Sequence, residues 1–162
     1  MFALWDRWLQ ILSEWAGTHP TPPVVPDPPP NPAPIPVTPP RPSDSTGLVA
    51  AINAARGSAG LAPLTGDPAL ERSASSWAVE MASTVGLDHG DFAGRIDAIY
   101  PNTEAGENIA EGQPDAAAVV NAWLSDPPHR ANLLGPFDRV GGGSALDEAG
   151  TVYWCADFVR SG

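Results

Sequence analysis

An α+β domain with an antiparallel sheet is the fold this 162-residue sequence predicts. Three observations predict it. Helical periodicities dominate the segment after residue 43, two alternating apolar runs close it, and a proline block isolates it from everything before. Thirteen of the twenty prolines fall between Pro20 and Pro42. The segment 44–162 suits one domain, since a chain of about 120 residues buries roughly two-thirds of its unfolded surface, enough for a single core.

Residues 1–17, MFALWDRWLQILSEWAG, read as a short amphipathic helix. Apolar side chains occupy 2–5, 8, 9, 11, 12, 15 and 16, with Asp6, Arg7, Gln10, Ser13 and Glu14 opposite. The stretch is too short and too charged to span a bilayer, and it lacks the basic start and small-residue site of a cleavable signal. Trp5, Trp8 and Trp15 suit a protein partner, self-association or a membrane interface, with docking onto the chain's own domain as the alternative. Residues 18–43 form a Pro-rich spacer that neither helix nor sheet can cross, because proline fixes φ and removes the amide donor.

Within 44–162, Ser45 or Thr46 caps a first helix carrying Leu48, Ile52 and Ala55, stopped by Gly57 and Gly60. Asp67 then caps a second, with Pro68 at its first position and Leu70, Ala74, Trp77 and Met81 as its core stripe. A short helix follows over 92–99 and a strand over 108–110. Pro114 opens a helix with Val119, Val120, Trp123 and Leu124 apolar, and Pro127 and Pro128 end it. Strands over 140–145 and 151–159 flank a turn near 147–150.

There is no lysine. Sixteen acidic residues face six arginines over 44–162, a formal charge of −10 that repels phosphate backbones and makes nucleic acid an unsuitable partner. Cys155, the sole cysteine, excludes an internal disulfide and reads as a small buried hydrophobe.

The chemistry-bearing residues cluster around residues 89–129. His89 lies in LDHGDF, Glu107 in AGENI, and Asp126 and His129 in DPPHR. Imidazole with carboxylate is the set that binds a divalent cation such as zinc or moves a proton near neutral pH. His89 and Glu107 are alternatively structural, satisfying backbone groups beside glycine turns, and His129 alternatively caps the C-terminus of the preceding helix. Asn108 and Arg95 are expected to support the loops; Asp91, Glu104 and Asp157 rank behind these residues as alternates for the site.

In this order the pieces resemble a bacterial CAP superfamily or SCP-like domain, of the cysteine-rich secretory, antigen 5 and pathogenesis-related type. NAARGSAGLAPLTGDPAL, His89, Gly106–Ile109, Trp123, DPPHRANLL and YWCADF carry the resemblance, which spans about Leu48 to Phe158. It implies an α-β-α sandwich with a shallow cleft. There, two histidines and two acidic residues sometimes hold a divalent cation. By this resemblance His89 and Glu107 take the first histidine and the glutamate, and Asp126 the second acid. The second histidine falls at Tyr153, leaving His129 as the other candidate. The usual strand glutamine is replaced by Ala156.

The expected function is a binding module for a metal or a small, lipid or cell-envelope ligand, held on a stalk. No nucleophile elbow, H-E-x-x-H or phosphate loop is present. A metal-dependent hydrolase, with Glu107 and His89 catalytic, is the first alternative. Anchoring through residues 1–17 is the second. The family resemblance implies an extracellular or cell-surface location.

Overall fold

The computed structural model describes residues 45–161, with side chains from residue 47 onward. The expected helix over 1–17, the spacer over 18–43 and the capping side chain at Ser45 or Thr46 lie outside the described set. Helix α1 (Ser45–Ser58) buries Leu48 and Ile52 completely. The chain leaves it through Gly60 at φ +74°, a conformation open to glycine at little cost, while Leu61 N–H donates to the Arg56 carbonyl at 2.9 Å. A two-residue strand, β1 (Thr65–Gly66), precedes α2 (Pro68–Thr84). The Asp67 carboxylate accepts from the amides of Ala69 and Leu70, so the expected cap forms. Leu70, Ala74, Ala78 and Met81 make the buried stripe of α2.

Helix α3 (Phe92–Asp97) is capped by Asp91 and ends two residues before the sequence suggests. Strand β2 (Glu104–Glu111) is longer than the three residues expected. Its glycine, glutamates and asparagine are poor strand formers, and pairing with a neighbouring strand overrides that preference. Helix α4 (Ala116–Ser125) starts at the Asp115 cap, just after Pro114. Pro127 and Pro128 end α4 as expected, yet they also open a further helix, α5 (Pro127–Leu133). Proline breaks a helix interior but is pre-organised for the first helical turn, so one pair does both. Strands β3 (Arg139–Leu146) and β4 (Val152–Arg160) complete the chain.

The sheet order is β1-β3-β4-β2. The β3–β4 and β4–β2 pairs are antiparallel, as expected, and the short β1 adds one parallel pair at the far edge. Helices cover both faces. On one side α1, α4 and α5 bury Leu48, Ile52, Val120, Trp123 and Leu133 against Trp154, Ala156 and Phe158. On the other, α2 buries Ala74, Ala78 and Met81 against Ile109, Tyr153 and Cys155. The result is an α-β-α sandwich. Gly141 and Gly143 let α2 lie directly on β3: a Cβ at Gly141 would come within 2.1 Å of the Leu70–Glu71 backbone, and one at Gly143 within 2.4 Å of Ser75. Among the described residues no helix is long and apolar enough to cross a membrane.

Candidate functional site

The loop between α2 and α3 carries His89, and three contacts fix it. Trp77 Nε1 donates to the Asp88 carbonyl at 2.9 Å, and Arg95 Nη1 donates to the His89 carbonyl at 3.0 Å. Gly90, at φ +50°, lies so close to Trp77 that a Cβ there would meet the indole at 2.2 Å. The Arg95 guanidinium stacks 4.2 Å over that indole and 5.9 Å from the Phe92 ring. Trp77 therefore does more than fill the core. It is the platform on which the His89 loop and Arg95 rest.

His89 Nδ1 donates to Glu107 Oε1 at 2.7 Å, while Arg95 Nη2 bonds Glu107 Oε2. The Glu107 side chain is 1% exposed, whereas that of His89 is 55% exposed. A buried carboxylate thus orients a half-exposed imidazole whose Nε2 has no hydrogen-bond partner among the described residues, the arrangement by which second partners aim histidine at a ligand. The same carboxylate is held from within, since Cys155 Sγ lies 3.3 Å from Oε2 and 3.7 Å from Asp157 Oδ1. Burial pushes the Cys155 thiol well above its ordinary range, with the Asp157 and Glu107 charges adding to it. Burial, then the Glu107 charge, raises Asp157 from 3.8 to about 7, against the opposing pull of Ser73 and Arg95.

Asp126 and His129 form the second pair, Nδ1 to Oδ2 at 2.6 Å and three residues apart. His129 sits in the first turn of α5, which corrects the expectation that it caps the C-terminus of the preceding helix. The Asn108 side chain donates to the His129 carbonyl at 2.9 Å, and Asn132 donates to the Glu107 carbonyl and to Asn108 Oδ1. Side chains alternate along a strand, so these bonds fasten α5 to the side of β2 opposite the Glu107 carboxylate. Tyr153 lies on the Glu107 side instead, buried among α2 residues, where burial and Glu111 hold its phenol above the ordinary range.

His89, Glu107, His129 and Asp126 are thus two separate pairs on two faces of an edge strand. Among the described residues, the potential metal-ligating side chains that gather in a group of three, with ligand atoms within 4.8 Å, are Glu107, Cys155 and Asp157. Among the described residues, the expected quartet does not gather its ligand atoms within 4.8 Å of one another. Asp91 serves as a helix cap, and Glu104 makes an exposed ion pair with Arg160 at 3.4 Å.

Sequence reasoning ranked Asp157 only as an alternate and Cys155 as a buried hydrophobe, and did not reach their convergence on Glu107. The available signal was alternation: Cys155 and Asp157 are two apart on one strand, like Glu107 and Ile109 on another. Only the pairing of Glu107 with Asp157 and Ile109 with Cys155 brings them onto one face. Beside the site, α3 lines a shallow pocket of about 480 Å³ with Phe92, Ile96, Tyr100, Thr103 and Ala105.

The cysteine-rich secretory protein family (CAP) profile matches residues 49–158. An uncharacterised Bacillus subtilis (strain 168) protein, YkwD, is 34% identical over 119 residues, 69% of this chain but 45% of that relative's length. The chain therefore spans less than half of the curated relative it matches. Among solved structures, an outer surface protein of Borrelia burgdorferi superposes with a TM-score of 0.65 at 24% identity, over 72% of this chain and 92% of that one. An extracellular SCP-domain protein of Bacillus anthracis gives 0.62 at 24% identity, over 72% and 40%. Both likenesses are likenesses of fold.

Proposed function

The chain belongs to the cysteine-rich secretory protein family, and on that premise we propose that it is a non-enzymatic binding module. Its working face is the one presented by His89, and its ligand is a small or lipid molecule of the cell envelope. The observation that carries this reading is the state of Glu107. A general base needs a carboxylate oxygen free to take a proton from water. Here Oε1 is held by His89 and Oε2 by Arg95, and the side chain is buried. The carboxylate is set to orient an imidazole, which favours recognition over metal-assisted hydrolysis.

Helix α3 supports a ligand of mixed character. One of its side chains, Arg95, secures the His89 loop, while Phe92, Ala93 and Ile96 line the adjoining apolar pocket. An apolar body against Phe92 and Ile96 with a polar end at His89 is the complementary shape. The surface and extracellular descriptions of the Borrelia and B. anthracis relatives support a secreted or surface location for this chain as well.

Titration of a fluorescent fatty acid and of solubilised envelope fragments, in the presence of EDTA, tests the reading. His89→Ala should weaken binding at least tenfold with an unchanged circular dichroism spectrum, and His129→Ala should leave it unaltered. Equal binding by wild type and His89→Ala rejects the proposal, and turnover of an envelope fragment would restore the hydrolase. Removing residues 1–43 should keep ligand binding; loss of a partner on that deletion would point to anchoring through residues 1–17.

A further inference from the structure

We propose that Glu107, Cys155 and Asp157 form an interior site for a borderline-soft divalent cation such as zinc, on the opposite side of Glu107 from the His89 face. The site shares Glu107 with the binding reading above, which otherwise uses His89 and needs no cation.

The placement follows from register. Strands β2 and β4 pair Glu107 with Asp157 and Ile109 with Cys155, so the three donors share the face covered by α2. Cys155 Sγ stands 3.3 Å from Glu107 Oε2 and 3.7 Å from Asp157 Oδ1. A tetrahedral zinc bound at about 2.3 Å to sulfur and about 2.0–2.2 Å to oxygen separates such donors by roughly 3.5 Å. The two spacings bracket that value before any side chain moves.

A second observation points to a ligand. Asp157 is wholly buried, and its Oδ2 has no hydrogen-bond partner. A carboxylate oxygen left unpaired in the interior carries a desolvation cost that a ligand would offset. The Ser73 hydroxyl on α2 is likewise buried and without a hydrogen-bond partner among the described residues. Two orphaned oxygens beside a thiol are donors awaiting an acceptor of electron pairs.

Charge selects the ion. With the thiol ionised, the three ligands carry −3 and Arg95 returns +1 through Glu107, so a divalent cation brings the cluster to neutrality. A thiolate and two carboxylates suit zinc or cobalt. Magnesium is excluded by its demand for six oxygens and retained waters. Binding is an exchange in which Cys155 Sγ–H, and the Asp157 carboxyl where it is protonated, lose their protons to solvent as the bonds to the metal form.

Cobalt(II), added to the full chain before and after refolding, is the probe. A thiolate-to-cobalt charge-transfer band in the near ultraviolet is expected, displaced by zinc. Cys155→Ser should abolish the band and Asp157→Asn weaken cobalt binding at least tenfold, while His89→Ala retains both. Zinc should also raise the wild-type Tm and leave that of Cys155→Ala unmoved, which separates lost ligation from lost folding. No cobalt binding, binding without the thiolate band, or a band that survives Asp157→Asn at full affinity overturns the site. A band lost in His89→Ala but kept in Asp157→Asn overturns it too, by moving the metal to the cleft.

Discussion

The two imidazole–carboxylate pairs look alike on paper and differ in every physical respect. His89 and Glu107 are eighteen residues apart and meet at 2.7 Å only because a loop, a helix and a strand converge. His129 and Asp126 are three apart and meet at 2.6 Å within one helical turn. In the first pair the carboxylate is buried and shared with Arg95 and Cys155; in the second, 48% of the Asp126 side chain is exposed. A short distance alone says little about what an interaction contributes. The surrounding dielectric and the cost of leaving a partner unpaired decide it.

Substitutions should separate the pairs widely. Glu107→Ala strands Arg95 and His89 beside a buried gap and should destabilise the domain by about 3–5 kcal/mol, measured by urea denaturation at pH 7. A loss below about 1 kcal/mol would place Glu107 in the same class as Asp126 and erase the contrast.

The next effect is a pH dependence set by the buried cluster. Asp157, facing Glu107, Cys155 and Arg95, is raised from 3.8 to about 7, so it holds its proton more tightly folded than unfolded. Its stabilising contribution is complete below about pH 4 and disappears as pH climbs through 7. In EDTA, wild type should therefore lose about 2–4 kcal/mol relative to Asp157→Asn between pH 4 and pH 8. Parallel stability curves for the two proteins would contradict the assignment.

Arg95→Lys keeps a charge but loses the planar guanidinium that stacks on Trp77 while bonding Glu107 and the His89 carbonyl. A loss of about 1–2 kcal/mol is expected, with faster amide exchange in residues 86–91. Unchanged exchange would mean that Trp77 alone holds the loop. Asp126→Ala should be smallest, below about 1 kcal/mol, because the pair is exposed and the Asp126 side chain makes no capping bond to α5. A larger loss would show that α5 depends on the pair.

The contrast also explains what was legible in advance. The Asp67 cap, Pro68 at the first helical position and the stripe Leu70–Ala74–Met81 are contiguous signals, and they locate the start of α2 to the residue. The role of Pro127–Pro128 was half legible: proline announces a helix boundary without saying whether a second helix begins there. His89 and Glu107 were recognisable as a potential pair from their residue types and the G-E-N-I run. That His129 lies across β2 from them was not, because which face of a strand a helix covers is absent from the helix's own pattern.

The sequence by itself therefore determined helices α1 to α4, the closing strands, the fold class and the family, since caps, periodicity and ordered motifs act over a few neighbouring residues. Only the tertiary structure decided that Arg95, Cys155 and Asp157 converge on Glu107 and that His129 does not. The physical reason is register. A shift of one residue in the β2–β4 pairing would turn Glu107 to the other face, away from Cys155 and Asp157, without altering a single local signal.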